Sequence, residues 1–177
     1  MEAPDEQLMT AYRDGDAGAF ERLYRRHKGA LFRFVLRGVS ERPVAEELFQ
    51  EIWMRVIEAR ERYVPEARFT TWLYTIAHHR LVDHWRRGAP ALVALDEDPP
   101  GNPAQDPGRQ AEGRESAGRF LAALEALPAA QREAFLLHEE GGLTVAAIAR
   151  ATGSNEEAAK SRLRYAIAKL KAAVDDG

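Results

Sequence analysis

The chain has 177 residues, is 45% hydrophobic and 30% charged, and carries a formal net charge of −3, a composition that is globular and excludes a disordered chain. It has no cysteine, which excludes disulfides and thiolate metal sites and fits a reducing compartment. No apolar run approaches the roughly 18 residues of a membrane span, and the acidic start Met1-Glu2-Ala3-Pro4-Asp5-Glu6 has no signal-peptide core, so a soluble, cytoplasmic protein with no membrane insertion is expected.

Gln7 to Arg13 reads as a short helix closing near Asp14-Gly15. Asp16 caps a longer one, in which Phe20, Leu23, Tyr24, Leu31, Phe34, Val35 and Val39 recur at helical spacing. His27 lies on or beside that stripe and reads as a packed, hydrogen-bonded residue rather than a ligand. Ser40 to Pro43 interrupts, and Pro43 suits the first turn of a third helix running to about Tyr63. There Leu48, Ile52, Met54, Val56 and Ile57 alternate with polar residues, and Glu47, Gln50 and Glu51 share one turn and one side. They form either a solvated face or a docking face for a basic partner.

Val64-Pro65 ends that helix, and a fourth spans about Arg68 to Arg87. Leu73, Ile76, Ala77 and Leu81 can face a core; Trp72, Thr75, His79 and Arg86 project elsewhere, with Tyr74, His78 and Trp85 near the edges. Aromatic rings beside Arg80, Arg86 and Arg87 suit single-stranded nucleic acid, because bases stack on rings while cations follow phosphates. Burial in the core explains Trp85 equally well. His78, His79, Asp83 and His84 lack the Glu and the third ligand of a zinc motif, and His138-Glu139-Glu140 lacks its second histidine, so no metal site is expected.

Residues 89–114, with Pro99-Pro100-Gly101-Asn102-Pro103, carry no sustained period and read as a flexible acidic linker between residues 1–88 and 115–177. Phe120, Leu121, Leu124 and Leu127 open the second unit, Pro128 breaks it, and Phe135, Leu136 and Leu137 resume it. Thr144 then caps a short helix with Val145, Ala146, Ile148 and Ala149 on its apolar face, and Gly153 closes it. Ser154-Asn155-Glu156-Glu157 reads as a capping box. In the helix that follows, Ala159, Leu163, Ile167, Leu170 and Val174 form the inner stripe. Glu157, Ser161, Arg164 and Tyr165 face outward, flanked by Lys160 and Arg162. That layout matches a helix-turn-helix whose second helix enters the major groove, although a solvated helix of any bundle has the same periodicity. The expected fold is all-α: two small helical domains joined by a flexible linker, the second containing the helix-turn-helix. No phosphate-binding glycine loop or nucleophile–base arrangement is evident, so neither an enzyme nor a cofactor is expected.

The weakly negative total charge argues against tight autonomous DNA binding. The acidic excess, however, sits between residues 96 and 118, and the basic clusters Arg80 to Arg87 and Lys160 to Lys171 are local. A partner that delivers the protein to DNA reconciles the two.

Four stretches together resemble the bacterial RNA polymerase sigma factors of the extracytoplasmic-function (ECF) type within the sigma-70 family. Ala45 to Trp53 is similar to the family's polymerase-docking helix; Phe69 to Ala77, continuing through Asp83-His84-Trp85-Arg86-Arg87, is similar to the segment that melts and reads the −10 element. Leu127-Pro128 with Arg132 to Leu137 resembles the start of the fourth sigma domain, and Ile148-Ala149, Gly153-Ser154 and Lys160-Ser161-Arg162-Leu163 its −35-reading helix-turn-helix. The resemblance implies sigma domain 2 at 1–88, sigma domain 4 at 115–177, core RNA polymerase and promoter DNA as partners, and an anti-sigma factor as a further one. It places polymerase binding on Glu47, Gln50 and Glu51, −10 binding on Phe69, Thr71, Trp72, His78, His79, Arg80, Arg86 and Arg87, and −35 binding on Ser154, Lys160, Ser161, Arg164 and Tyr165. Two departures stand out: His78-His79 where the family usually shows Arg-Asn, and Ala158-Ala159 where it usually shows Thr-Val. The rival readings are a stand-alone dimeric helix-turn-helix transcriptional regulator with two-fold symmetric sites, a metal hydrolase around His78, His79 and Asp83, and a pure interaction protein.

Overall fold

The structure, a computed structural model, describes residues 2–88 and 112–176. The described residues form eight α-helices and a short 3-10 turn, with no strand among them. Most of the segment read as a linker lies outside the described residues.

Helix α1 spans Asp5–Arg13, two residues earlier than expected: Pro4 supplies an extended N-cap, and Asp5 and Glu6 place carboxylates in the first turn, where the helix dipole favours them. Helix α2 spans Ala17–Val39, capped as expected by Asp16, whose Oδ1 accepts from the Ala19 N–H at 3.3 Å. Helix α3 spans Arg42–Glu58 with Pro43 in its first turn, and the 3-10 turn Arg60–Arg62 occupies what was read as its last turn. Helix α4 spans Phe69–Gly88; its first N–H, that of Phe69, donates to Glu6 Oε2 of α1 at 3.3 Å, so the cap comes from another element. Leu23, Phe34, Ile52, Leu73 and Leu81 are among the side chains that close the core between these helices. His27 is held as its position predicted, with Nε2 2.9 Å from Asp5 Oδ2 and its ring against Phe69.

Helix α5 spans Glu112–Ala126, beginning inside the stretch read as linker. Pro128 then starts α6, Ala129–Glu139, followed by α7, Val145–Thr152, and α8, Glu156–Asp175. Helix α8 packs against α5, α6 and α7, and its inner stripe is Ala159, Leu163, Ala166 and Leu170, with Ile167 half-buried and Val174 exposed towards the end.

The two helical units share one continuous apolar cluster. Helix α4 lies along α7, and α2 lies against α5 and α6. This contact explains why Tyr74, placed by periodicity at a helix edge, is almost fully buried: Gly141, between α6 and α7, comes so close that an added Cβ would stand 3.2 Å from the Tyr74 ring and 2.7 Å from the Leu137 carbonyl oxygen. Polar ties reinforce it. His78 Nδ1 on α4 lies 2.6 Å from Glu133 Oε2 on α6, Arg33 Nε on α2 donates to Glu140 Oε2 at 2.8 Å, and the Arg132 guanidinium stands 5.8 Å from the centroid of the Trp85 ring.

Candidate functional site

The helix-turn-helix is built by two caps and a left-handed residue. Thr144 Oγ1 accepts from the Ala147 N–H at 3.1 Å and starts α7. Gly153 ends it at φ 68°, and the Ser154 N–H reaches back to the Ala149 carbonyl at 2.9 Å, the six-residue closure of a Schellman turn. Helix α8 then starts one residue later than expected. Its N-cap is Asn155, whose Oδ1 accepts from the Ala158 N–H at 2.8 Å. The Ser154 hydroxyl instead lies 2.9 Å from Thr152 Oγ1, so the capping box is corrected to an asparagine cap. With Ala159, Leu163, Ala166 and Leu170 inward, Lys160, Arg164 and Tyr165 are exposed, Ser161 is half-exposed, and the Arg164 guanidinium sits 5.4 Å over the Tyr165 ring. A cation, a hydroxyl and a ring edge on one helix face can contact phosphates and base edges together.

On α3 the buried stripe Ala45, Leu48, Ile52 and Val56 turns Glu47 and Gln50 outward, with Glu51 partly buried beside them. Met54, counted by periodicity with the apolar stripe, is 54% exposed and follows Gln50 by one turn on this face.

Helix α4 divides by face. Tyr74, His78, Leu81 and Trp85 turn towards the second helical unit, and Trp85 Nε1 is fixed by a 3.1 Å bond to the Gly38 carbonyl. On the other side Trp72 and Thr75 are half-buried and His79 and Arg86 exposed, with Arg87 exposed beside them. The Trp72 ring meets the Tyr63 ring edge-on, with centroids 5.1 Å apart, a contact that favours one ring orientation. Burial, helped by Glu6 and Asp5, pushes the Tyr63 phenol up to about 12, so it stays neutral.

Family models now decide the class. Sigma-70 region 2 matches residues 23–90 and sigma-70 region 4 matches residues 117–170. The RNA polymerase sigma factor CarQ of Myxococcus xanthus is 32% identical over 166 residues, covering 92% of this chain and 93% of that one. The ECF RNA polymerase sigma factor SigK of Mycobacterium sp. (strain KMS) is 30% identical, covering 93% and 87%. The chain belongs to the ECF RNA polymerase sigma factors. Solved structures give the same fold: CnrH, in complex with the cytosolic domain of CnrY, superposes with a TM-score of 0.71 at 22% identity over 97% of both chains. The sigma factor RpoE of Bartonella quintana, in complex with the anti-sigma factor NepR, gives 0.68 at 23% identity, covering 88% of this chain and 96% of that one.

In this sigma factor the residues anticipated for −10 contacts do not form one surface. Trp72, His79, Arg86 and Arg87 lie on or beside the outer face of α4, whereas Phe69 and Thr71 are buried in the domain 2 core and cannot meet a base from there. Phe69 instead backs Trp72, with ring centroids 5.9 Å apart. His78 is turned to Glu133, and Arg80 is held by the Glu51 and Asp83 carboxylates. Ser154 serves the turn through its bond to Thr152. The helical wheel missed Met54 because it counted apolar residues rather than their angle; its spacing of four from Gln50 and three from Glu51 was the available signal. Among the described residues no helix is long and apolar enough to cross a membrane.

Proposed function

We propose that this sigma factor acts in the cytoplasm, has no catalytic centre of its own, and directs core RNA polymerase to promoters through three surfaces. Glu47, Gln50 and Glu51, with Met54 beside them, dock α3 on the polymerase. Trp72 and His79 receive unstacked −10 bases while Arg86 and Arg87 meet phosphates. Lys160, Ser161, Arg164 and Tyr165 read the −35 duplex in the major groove. The observation that carries this reading is the outer face of α8: a capped helix entered by a three-residue turn that exposes Lys160, Arg164 and Tyr165 together. An anti-sigma factor is proposed as a further partner, supported by the complexes of the two similar structures.

Each surface alone is modest, and the overall charge of −3 offers little non-specific DNA affinity. Binding through the polymerase makes the second promoter contact intramolecular, which raises its effective concentration. The test mixes purified protein with bacterial core RNA polymerase and follows gel filtration and run-off transcription on a promoter library. Co-elution with starts at defined sites is expected. Sequence-specific DNA binding without the polymerase, together with no co-elution, would show a stand-alone regulator instead.

A further inference from the structure

Arg80 sits in the middle of α4 within a basic cluster, which suggests a phosphate contact, yet its surroundings deny it one. Its side chain is 12% exposed; Nη2 pairs with the Glu51 carboxylate of α3, Nη1 lies 3.4 Å from Asp83 Oδ2, and Nε is buried without a partner. Reaching a phosphate would require breaking both carboxylate pairs, whereas Arg86 and Arg87 are already exposed. Glu51 itself remains 38% exposed, so one carboxylate can be held by Arg80 and still present its outer edge.

We infer that Arg80 is a positioning residue for polymerase docking: its guanidinium holds the Glu51 carboxylate in one orientation on the α3 face, and it does not contact promoter DNA. The inference rests on the docking role proposed for Glu51. A glutamate side chain has several rotatable bonds, and freezing them on binding costs affinity; a side chain frozen beforehand avoids that cost. Arginine suits the task because its planar fork binds two carboxylates at fixed angles, which a lysine ammonium cannot do. The effect is orientational rather than Coulombic, since Arg80 offsets part of the charge that a basic partner would feel.

The experiment uses the full chain with core RNA polymerase and compares wild type, Arg80→Ala, Arg80→Lys, Glu51→Ala and the double variant Arg80→Ala/Glu51→Ala, with thermal melting run on each. Core affinity should fall roughly 2- to 10-fold in Arg80→Ala, with Arg80→Lys intermediate. The double variant should bind no more weakly than Glu51→Ala alone, because both changes remove one interaction. For assembled holoenzyme on a −10 fork-junction probe, the dependence of affinity on salt should match wild type. Unchanged core affinity in both Arg80 variants, with the salt slope lowered by about one, would assign Arg80 to a phosphate and overturn the inference. Additive losses in the double variant would overturn it too. If Glu51→Ala weakens core binding and Arg80→Ala does not, only the positioning role falls; if Glu51→Ala has no effect, the docking role of Glu51 falls and takes the positioning role with it.

Discussion

Single side chains in this protein do different work according to which face their helix turns. Asp5 illustrates a structural carboxylate. Burial pushes its pKa up, but hydrogen bonds from His27 and Arg26 outweigh burial and hold it below the usual 3.8. The folded state therefore binds a proton on Asp5 less readily than the unfolded chain. The stability it contributes is fully present well above pH 3.8 and is lost as pH falls through the lower folded value. Replacing it by Asn is expected to cost about 1–2 kcal/mol at pH 7 and to flatten the acid limb of the stability curve, measured by urea unfolding between pH 3 and 7. Arg164, exposed on α8 and supported by the Tyr165 ring, carries one of the proposed −35 contacts. Arg164→Ala is expected to lower run-off transcription about 10-fold or more through loss of a base-edge contact, with core affinity and melting temperature unchanged. Equal losses in transcription and core binding would give the helix another role.

At the scale of the element, helix starts follow local hydrogen bonding, and the turn before α8 shows how finely. Two adjacent residues, Ser154 and Asn155, both suit an N-cap, but Ser154 already faces Thr152 Oγ1 and only Asn155 reaches the free Ala158 N–H. Asn155→Ala should therefore destabilise domain 4 by about 1 kcal/mol, and Ser154→Ala by only a few tenths, read from thermal unfolding of the full chain. The reverse order would restore Ser154 as the cap. Helices α2 and α7 were legible because Asp16, Thr144 and Gly153 are local signals that need nothing from the rest of the chain. The start of α4 was only roughly legible, since the carboxylate at its first N–H comes from Glu6, 63 residues away in sequence.

At the scale of the molecule, domain 4 packs on the inner side of α4, and the family departure at His78 gains a role there. Its ring is the hydrogen-bond partner of Glu133, a carboxylate only 4% exposed. His78→Leu strands that carboxylate, at a cost of about 1–3 kcal/mol, which parting of the two domains relieves by letting water in. Fluorescence energy transfer between dyes on α2 and α8 should fall in His78→Leu and recover in His78→Leu/Glu133→Leu, where an apolar pair replaces the polar one. Transfer that stays unchanged in the single variant would show that the apolar contacts alone hold the domains together. Gly141 limits the same contact from the other side, because no larger residue fits between Leu137, Leu143 and Tyr74.

The sequence by itself determined the all-helical class, the division into two units, the turn of the helix-turn-helix and the outward face of α8, because each follows from nearest-neighbour hydrogen bonding and the 3.6-residue period. It also carried the family, through motifs in a set order. Only the tertiary structure decided which side chains remain available. Phe69 and Thr71 pass into the core, Glu51 holds Arg80, His78 meets Glu133, and Met54 stays outside. A helical wheel gives a residue's angle about its own axis; whether that angle meets solvent, a carboxylate or another domain depends on where distant parts of the chain come to rest.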